Sequence, residues 1–159
     1  MRLPSHKSKW SVEEALNHLR KWCAERERCH SEIRSKLLEH SVYGDDLEQV
    51  IDRLITEGFL NEERYARAYA RGKLRMNHWG WNKILANLKM KQISSYCIKM
   101  AYEEIDHEEY IDILNHLISR KAREIKESDY FKRRQKIIRF LVQKGFEIPL
   151  ITEILDRDE

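Results

Sequence analysis

A pattern of apolar residues recurs three times along this sequence at a spacing of about 50 residues. Superposing the three rounds puts Ile33, Ile84 and Ile137 in one column and Leu37, Leu88 and Leu141 in the next. Without a gap, Val42, Ile93 and Phe146 then align, followed by Leu47, Ile98 and Ile151, and by Val50, Ala101 and Ile154. One or two such columns arise by chance; five in register do not. Self-similarity at this period marks an array, because a single short unit cannot bury its own apolar face and needs its neighbours. Within each round the apolar residues follow a helical period, and no strand-like alternation is sustained. The expectation is an all-α chain of three tandem three-helix, helix-turn-helix-like repeats in an elongated, curved array.

Local signals place the boundaries. Residues 1–10 read as an N-terminal tail, 11–58 as the first repeat, 59–106 as the second and 107–159 as the third. Ser11 and Glu14 form a capping box ahead of the stripe Ala15, Leu16, Leu19, Trp22 and Cys23. A second helix from about Ser31 turns Ile33, Leu37 and Leu38 inward, and a third after Gly44 carries Leu47, Val50, Ile51 and Leu54. Gly58 ends that helix, and Asn61 caps the next, with Glu62 and Glu63 in its first turn. The second round continues through Tyr65, Ala66, Tyr69, Ala70 and Leu74, then Trp81, Ile84, Leu85 and Leu88, then Ile98, Ala101, Tyr102 and Ile105. Asp106 and Glu109 open the third, which runs through Ile113, Leu114, Leu117 and Ile118, then Ile137, Ile138, Leu141 and Val142, then Ile151, Ile154 and Leu155. A longer link, from about Arg123 to Tyr130, is expected to hold a bend or a flexible joint. Charged residues make up 36% of the chain, which suits an elongated object, and five Gly and two Pro leave no flexible linker.

The net charge of +3 announces no particular partner, but the charges are segregated. Between Arg64 and Lys91 stand Arg64, Arg67, Arg71, Lys73, Arg75, Lys83, Lys89 and Lys91, with no Asp or Glu among them. Arg133, Arg134, Lys136 and Arg139 form a second basic cluster, while acids gather at Asp45–Asp52, Glu103–Asp112 and the C-terminus. Arg64, Arg67, Arg71 and Arg75 are three, four and four residues apart and so share one helix face. Like charges at that spacing cost a helix a few tenths of a kcal/mol per pair. Their presence implies a compensating partner, either an anionic ligand outside the fold or acids of a neighbouring unit. Trp79 and Trp81 flank Gly80 beside this stripe; Trp79 reads as a stacking or packing residue and Trp81 as a core residue.

Other chemistry lacks support. Cys23, Cys29 and Cys97 form no CxxC pair, and Cys23, Cys29 and His30 lack a fourth zinc ligand, so reduced thiols and no metal are expected. There is no phosphate-cradling GxxxxGK[ST] or GxGxxG loop. His30, His40, His78 and His107 lack metal-ligand companions, and the pair Glu103/Glu104 reads as a solvated helix end. No nucleophile, base and orienting group can be assembled by spacing, so neither a cofactor nor an enzymatic role is expected. No apolar run approaches the ~20 residues of a membrane span, and Met1–His6 has no signal-peptide character, which points to a cytoplasmic protein.

The run from Asp52 to Ala66, DRLITEGFLNEERYA, resembles the D-R-L-x-x-x-G-[FL]-[LI]-[DN]-[DE]-x-R-[FY]-A centre of the RecX regulatory proteins. Tyr69, Arg71, Gly80, Ile84, Leu88 and Lys91 stand where that family shows Y, R, G, I, L and K. Arg28–Leu38 and Lys136–Phe146 resemble its first and last repeats. Two departures are Trp81, where many members have proline, and Val42-Tyr43-Gly44 in place of K-G-[FVY]. The resemblance implies three tandem three-helix units that lodge in the groove of a RecA–DNA filament and restrain its recombinase and ATPase activity in DNA repair, as a monomer with weak, sequence-independent DNA contact. The twelve basic residues named above would make those contacts. Two other classes are kept: a helix-turn-helix transcriptional regulator, although no repeat offers a clear base-reading helix, and a repeat scaffold for an unrelated partner.

Overall fold

The computed structural model describes residues 7–158, and among these it contains nine helices and no strand. They are α1 (Val12–Glu25), α2 (His30–Glu39), α3 (Gly44–Thr56), α4 (Glu62–Asn77), α5 (Trp81–Met90), α6 (Ser95–Glu104), α7 (His107–Glu124), α8 (Tyr130–Lys144) and α9 (Ile148–Arg157). All-α architecture built of three-helix repeats is thus what the chain adopts. The chain divides into two compact units. The first holds the residues up to Tyr65 together with Lys91–Ile93, and the second holds Ala66–Met90 and everything from Ser94 onward.

In the first unit α3 packs on both α1 and α2. Its core joins Ala15, Leu16, Leu19 and Cys23 of α1, Ile33 and Leu37 of α2, and Leu47, Val50, Ile51 and Leu54 of α3. The capping box of α1 is complete: Glu14 N–H donates to Ser11 Oγ at 3.1 Å, and Ser11 N–H to the Glu14 carboxylate at 3.3 Å. Residues 8–10, expected within a tail, are docked: Trp10 is buried, its N–H donates to His40 O at 3.1 Å, and its ring lies between His18 and His40 at 4.6 and 3.5 Å. Lys7 pairs with Glu39 at 2.5 Å, and residues 1–6 of that tail lie outside the described residues. In the second unit α5 packs on α6, and α8 on α7 and α9. Asn61 and Asp106 act as the expected N-caps, accepting from Arg64 N–H at 2.9 Å and Glu109 N–H at 3.0 Å.

Four apolar assignments are corrected. Leu38, Tyr102 and Val142 are exposed, at 58%, 60% and 41%. Each directly follows a buried residue (Leu37, Ala101, Leu141), and one step along a helix turns the side chain about 100° away from the core. On α6 the fully buried pair is Cys97 and Ala101, one turn apart, with Ile98 only half-buried. The link after α7 is shorter than expected, from Ile125 to Asp129, and it is tied down: the Arg133 guanidinium donates to Ile125 O at 2.8 Å and to Ala122 O.

The turn between the second and third helix of each repeat shows why the register holds. Ser41, Gln92 and Gly145 all adopt left-handed backbone, with φ of 60°, 60° and 101°. Each precedes a buried residue, Val42, Ile93 or Phe146. In the first and third repeats the N–H of that residue reaches back to Leu37 O (2.9 Å) and Leu141 O (3.0 Å), the six-to-one bond that closes a helix end. The counterpart of Lys144-Gly145-Phe146 is therefore His40-Ser41-Val42, not Val42-Tyr43-Gly44. A residue with a Cβ forfeits about 1–2 kcal/mol in this conformation, and glycine's freer unfolded chain returns about 0.4–1 kcal/mol of that. Ser41→Gly and Gln92→Gly are each expected to stabilise the protein by roughly 0.5–1 kcal/mol, which thermal unfolding followed by circular dichroism will register as a small upward shift in Tm.

Candidate functional site

The basic stripe forms as its spacing requires, on α4, and every one of its arginines has an internal partner. Arg64 Nε donates to Glu27 Oε1 at 2.6 Å, and its Nη2 to Gly58 O at 3.0 Å, within the first unit. Arg67 and Arg71 converge on one carboxylate, Glu104, at 3.2 and 2.5 Å. Arg75 holds Glu109 with two nitrogens, at 2.6 and 3.1 Å. The second half of the fork, Arg67 Nη2, contacts Met100 Sδ at 3.2 Å. Of the two partners weighed from the sequence, acids folded against the stripe are thus present.

The placement of those acids has an electrostatic logic. Glu109 lies in the first turn of α7, where the helix dipole favours an anion. Glu104 is the last residue of α6, where the dipole disfavours one, so two guanidiniums offset its charge. Arg71 chiefly, with Arg67, holds the Glu104 carboxyl below the usual carboxylate range. These side chains keep between a quarter and just over half of their surface in water. Solvent screening therefore limits what each pair adds to stability.

A second cluster surrounds the α4–α5 turn. Lys73 and Lys83 place their ammonium groups 4.9 and 4.6 Å from the Trp79 ring centre, so the half-buried indole is bracketed by two cations. Trp81 is half-buried rather than core, with its ring edge-on to Tyr102 at 5.1 Å. Its backbone N–H donates to Tyr110 Oη at 2.9 Å, a bond proline could not make. Tyr110 Oη in turn donates to Glu147 Oε1 at 2.5 Å. Burial first, then Glu147, pushes this phenol far above its ordinary range, so it stays a donor.

The remaining basic residues are scattered in role. Arg133 closes the end of α7 through the carbonyls already described, Arg134 pairs with Asp156 at 2.8 Å, and Lys136 with Glu127 at 3.5 Å. Lys91 is half-buried in the turn after α5. Lys89 and Arg139 are exposed and make no ion pair among the described residues. Sequence reasoning missed Glu104 and Tyr110 as organising groups: their partners lie 29 to 37 residues away, and no local period connects them. It also missed Arg28, which is buried over the Trp22 ring at 4.0 Å and donates to Trp22 O at 3.1 Å. Among the described residues no group of His, Cys, Asp and Glu is placed to hold a metal ion, and the three cysteines are buried and form no disulfide. No described helix is long and apolar enough to cross a membrane.

Against known proteins, residues 61–101 match the family model "RecX, second three-helix domain", and residues 108–155 match "RecX, third three-helix domain". The chain is 33% identical over 132 residues to "Regulatory protein RecX" of Clostridium perfringens (strain 13 / Type A), covering 82% of this chain and 61% of that protein. It thus spans about three fifths of the length of this curated relative. "Regulatory protein RecX" of Prosthecochloris aestuarii (strain DSM 271 / SK 413) is 29% identical over 142 residues, covering 89% of this chain and 91% of the relative. Among solved structures, RecX from Lactobacillus salivarius superposes with a TM-score of 0.82 at 22% identity, covering 92% of this chain and 95% of that one, which is a likeness of fold.

Proposed function

Because the chain belongs to the RecX family, we propose that it binds the RecA–DNA filament and restrains recombinase and ATPase activity in DNA repair and recombination. The observation that carries this reading is the pair of family matches, which together cover its second and third helix triplets. In this reading the protein acts in the cytoplasm, as a monomer and without a cofactor, with its repeats bounded at 11–58, 59–106 and 107–159. The internal pairing of the arginines sorts the candidate contacts. Lys89 and Arg139, exposed and without an ion pair among the described residues, are available to a phosphate or an acidic protein surface at no cost in broken contacts. Arg67, Arg71 and Arg75 reach such a partner by exchanging Glu104 or Glu109 for it, as half-exposed ion pairs readily do.

The test is DNA-dependent ATP hydrolysis by the cognate RecA with this protein titrated in. Inhibition is expected well below one copy per RecA. Lys89→Glu with Arg139→Glu should raise the half-inhibiting concentration by about tenfold or more, since a charged hydrogen bond contributes about 1.5–3 kcal/mol and 1.4 kcal/mol is tenfold. No inhibition at equimolar protein, together with tight preference for one duplex sequence, would replace this reading with that of a transcriptional regulator.

A further inference from the structure

A cavity of about 380 Å³ in the second unit plays no part in the reading above. Trp81, Tyr102 and Tyr110 form its aromatic walls, and Glu103 and Glu147 bring carboxylates to it. The Trp81 and Tyr102 rings stand 5.1 Å apart at 71°, which makes two nearly perpendicular walls. Aromatic faces carry negative quadrupole charge and attract cations within about 6 Å. Glu147 is already oriented, because Tyr110 Oη donates to its Oε1 at 2.5 Å. Glu103 makes no ion pair among the described residues, and neither lysine nor arginine lines the cavity. Ile105, His107 and Leu150 complete the lining. In a chain with 30 Lys and Arg, three aromatics and two acids against a single imidazole, with no Lys or Arg, make a pocket that favours cations.

We propose that this cavity receives an arginine side chain presented by a partner protein. The planar guanidinium can stack on an indole or phenol face while its fork of N–H donors meets a carboxylate, a combination that a compact ammonium matches less well. The exposure of Tyr102, 60% with its ring facing the cavity wall formed by Trp81, fits an aromatic that a partner covers. This inference stands on the cavity alone and does not require the partner to be a recombinase.

The full-length chain can be titrated with the tripeptide acetyl-Gly-Arg-Gly-amide, its citrulline analogue and choline, with Trp81 and Tyr102 side-chain resonances followed by NMR. Citrulline keeps the shape of arginine and removes its charge. The arginine peptide should shift both sets of resonances saturably, at least about tenfold more tightly than the citrulline peptide. Trp81→Leu, which keeps the backbone N–H, should abolish the response. Glu103→Gln, at an exposed position, should weaken it about threefold. Equal responses to arginine and citrulline, or no saturable response to either, would overturn the proposal. Choline saturating at lower concentration than the arginine peptide would also overturn it, by assigning the cavity to a free quaternary ammonium.

Discussion

Gly80→Ala and Gly145→Ala are each expected to cost about 3 kcal/mol or more, the largest losses among the glycines of this chain. The two residues meet backbone to backbone inside the second unit. Gly80 N–H donates to Lys144 O at 2.8 Å, and Asn82 N–H to Gly145 O at 2.9 Å. A Cβ on Gly80 would lie 2.5 Å from Gly145 O and closer still to Gly145 C and Phe146 N. Those are backbone atoms at the end of α8, which cannot swing aside as a side chain would. On Gly145 the Cβ would meet Lys83 N at 2.7 Å and Gly80 O at 2.9 Å, and its φ of 101° adds a steric cost of its own. At roughly 2–4 °C per kcal/mol for a chain of this size, each variant should melt about 6–12 °C lower. The two substitutions crowd the same contact, so the double variant should lose less than the sum. Gly72→Ala supplies the control: it lies within α4 with nothing within 4 Å of the added methyl, and should stabilise by about 0.5–1 kcal/mol. Thermal unfolding of the three single variants and the double checks the set.

The second large effect concerns Arg71, whose guanidinium is held by Glu104. Arg71→Glu should weaken inhibition of RecA ATP hydrolysis by about tenfold or more, by analogy with the loss of one charged hydrogen bond. Taken alone that result is ambiguous, because the substitution also sets two carboxylates against one another. Reversing Arg67 as well would set three together. The charge-swapped pair Arg71→Glu with Glu104→Arg separates the two roles. It rebuilds an ion pair at the same place and leaves Arg67, which also held Glu104, one turn from the new carboxylate on α4, so stability should return to within about 1 kcal/mol of the starting protein. Inhibition should stay weak, because the positive charge has moved from α4 to α6. Recovery of both stability and inhibition would instead make Arg71 a residue that acts only through Glu104.

Much of this was legible in the chain itself. The five aligned columns depend on which residues are apolar and how far apart they stand, and those two quantities are enough to require repeated helical units. Ser11, Asn61 and Asp106 act as caps through backbone groups three residues away, so their role is visible in a short window. The resemblance to RecX likewise rests on one contiguous run, from Asp52 to Ala66. What was misjudged locally has a local cause as well: Leu38, Tyr102 and Val142 each sit one residue beyond a buried position, and hydrophobicity alone does not say where an apolar stripe stops.

The arginine stripe marks the other limit. Its spacing put four guanidiniums on one helix face, but only folding decided that Glu27, Glu104 and Glu109 would meet them from 33 to 37 residues away. The same holds for Gly80 against Gly145, and for Tyr110 between Trp81 and Glu147. The amino-acid sequence alone determined helical periodicity, capping and family pattern, because each is carried by neighbours within a turn or by identity at aligned positions. Tertiary structure alone decided which charges are neutralised, which glycines admit no methyl and which aromatics wall a cavity. Those depend on distances between segments far apart in the chain, and no local period encodes them.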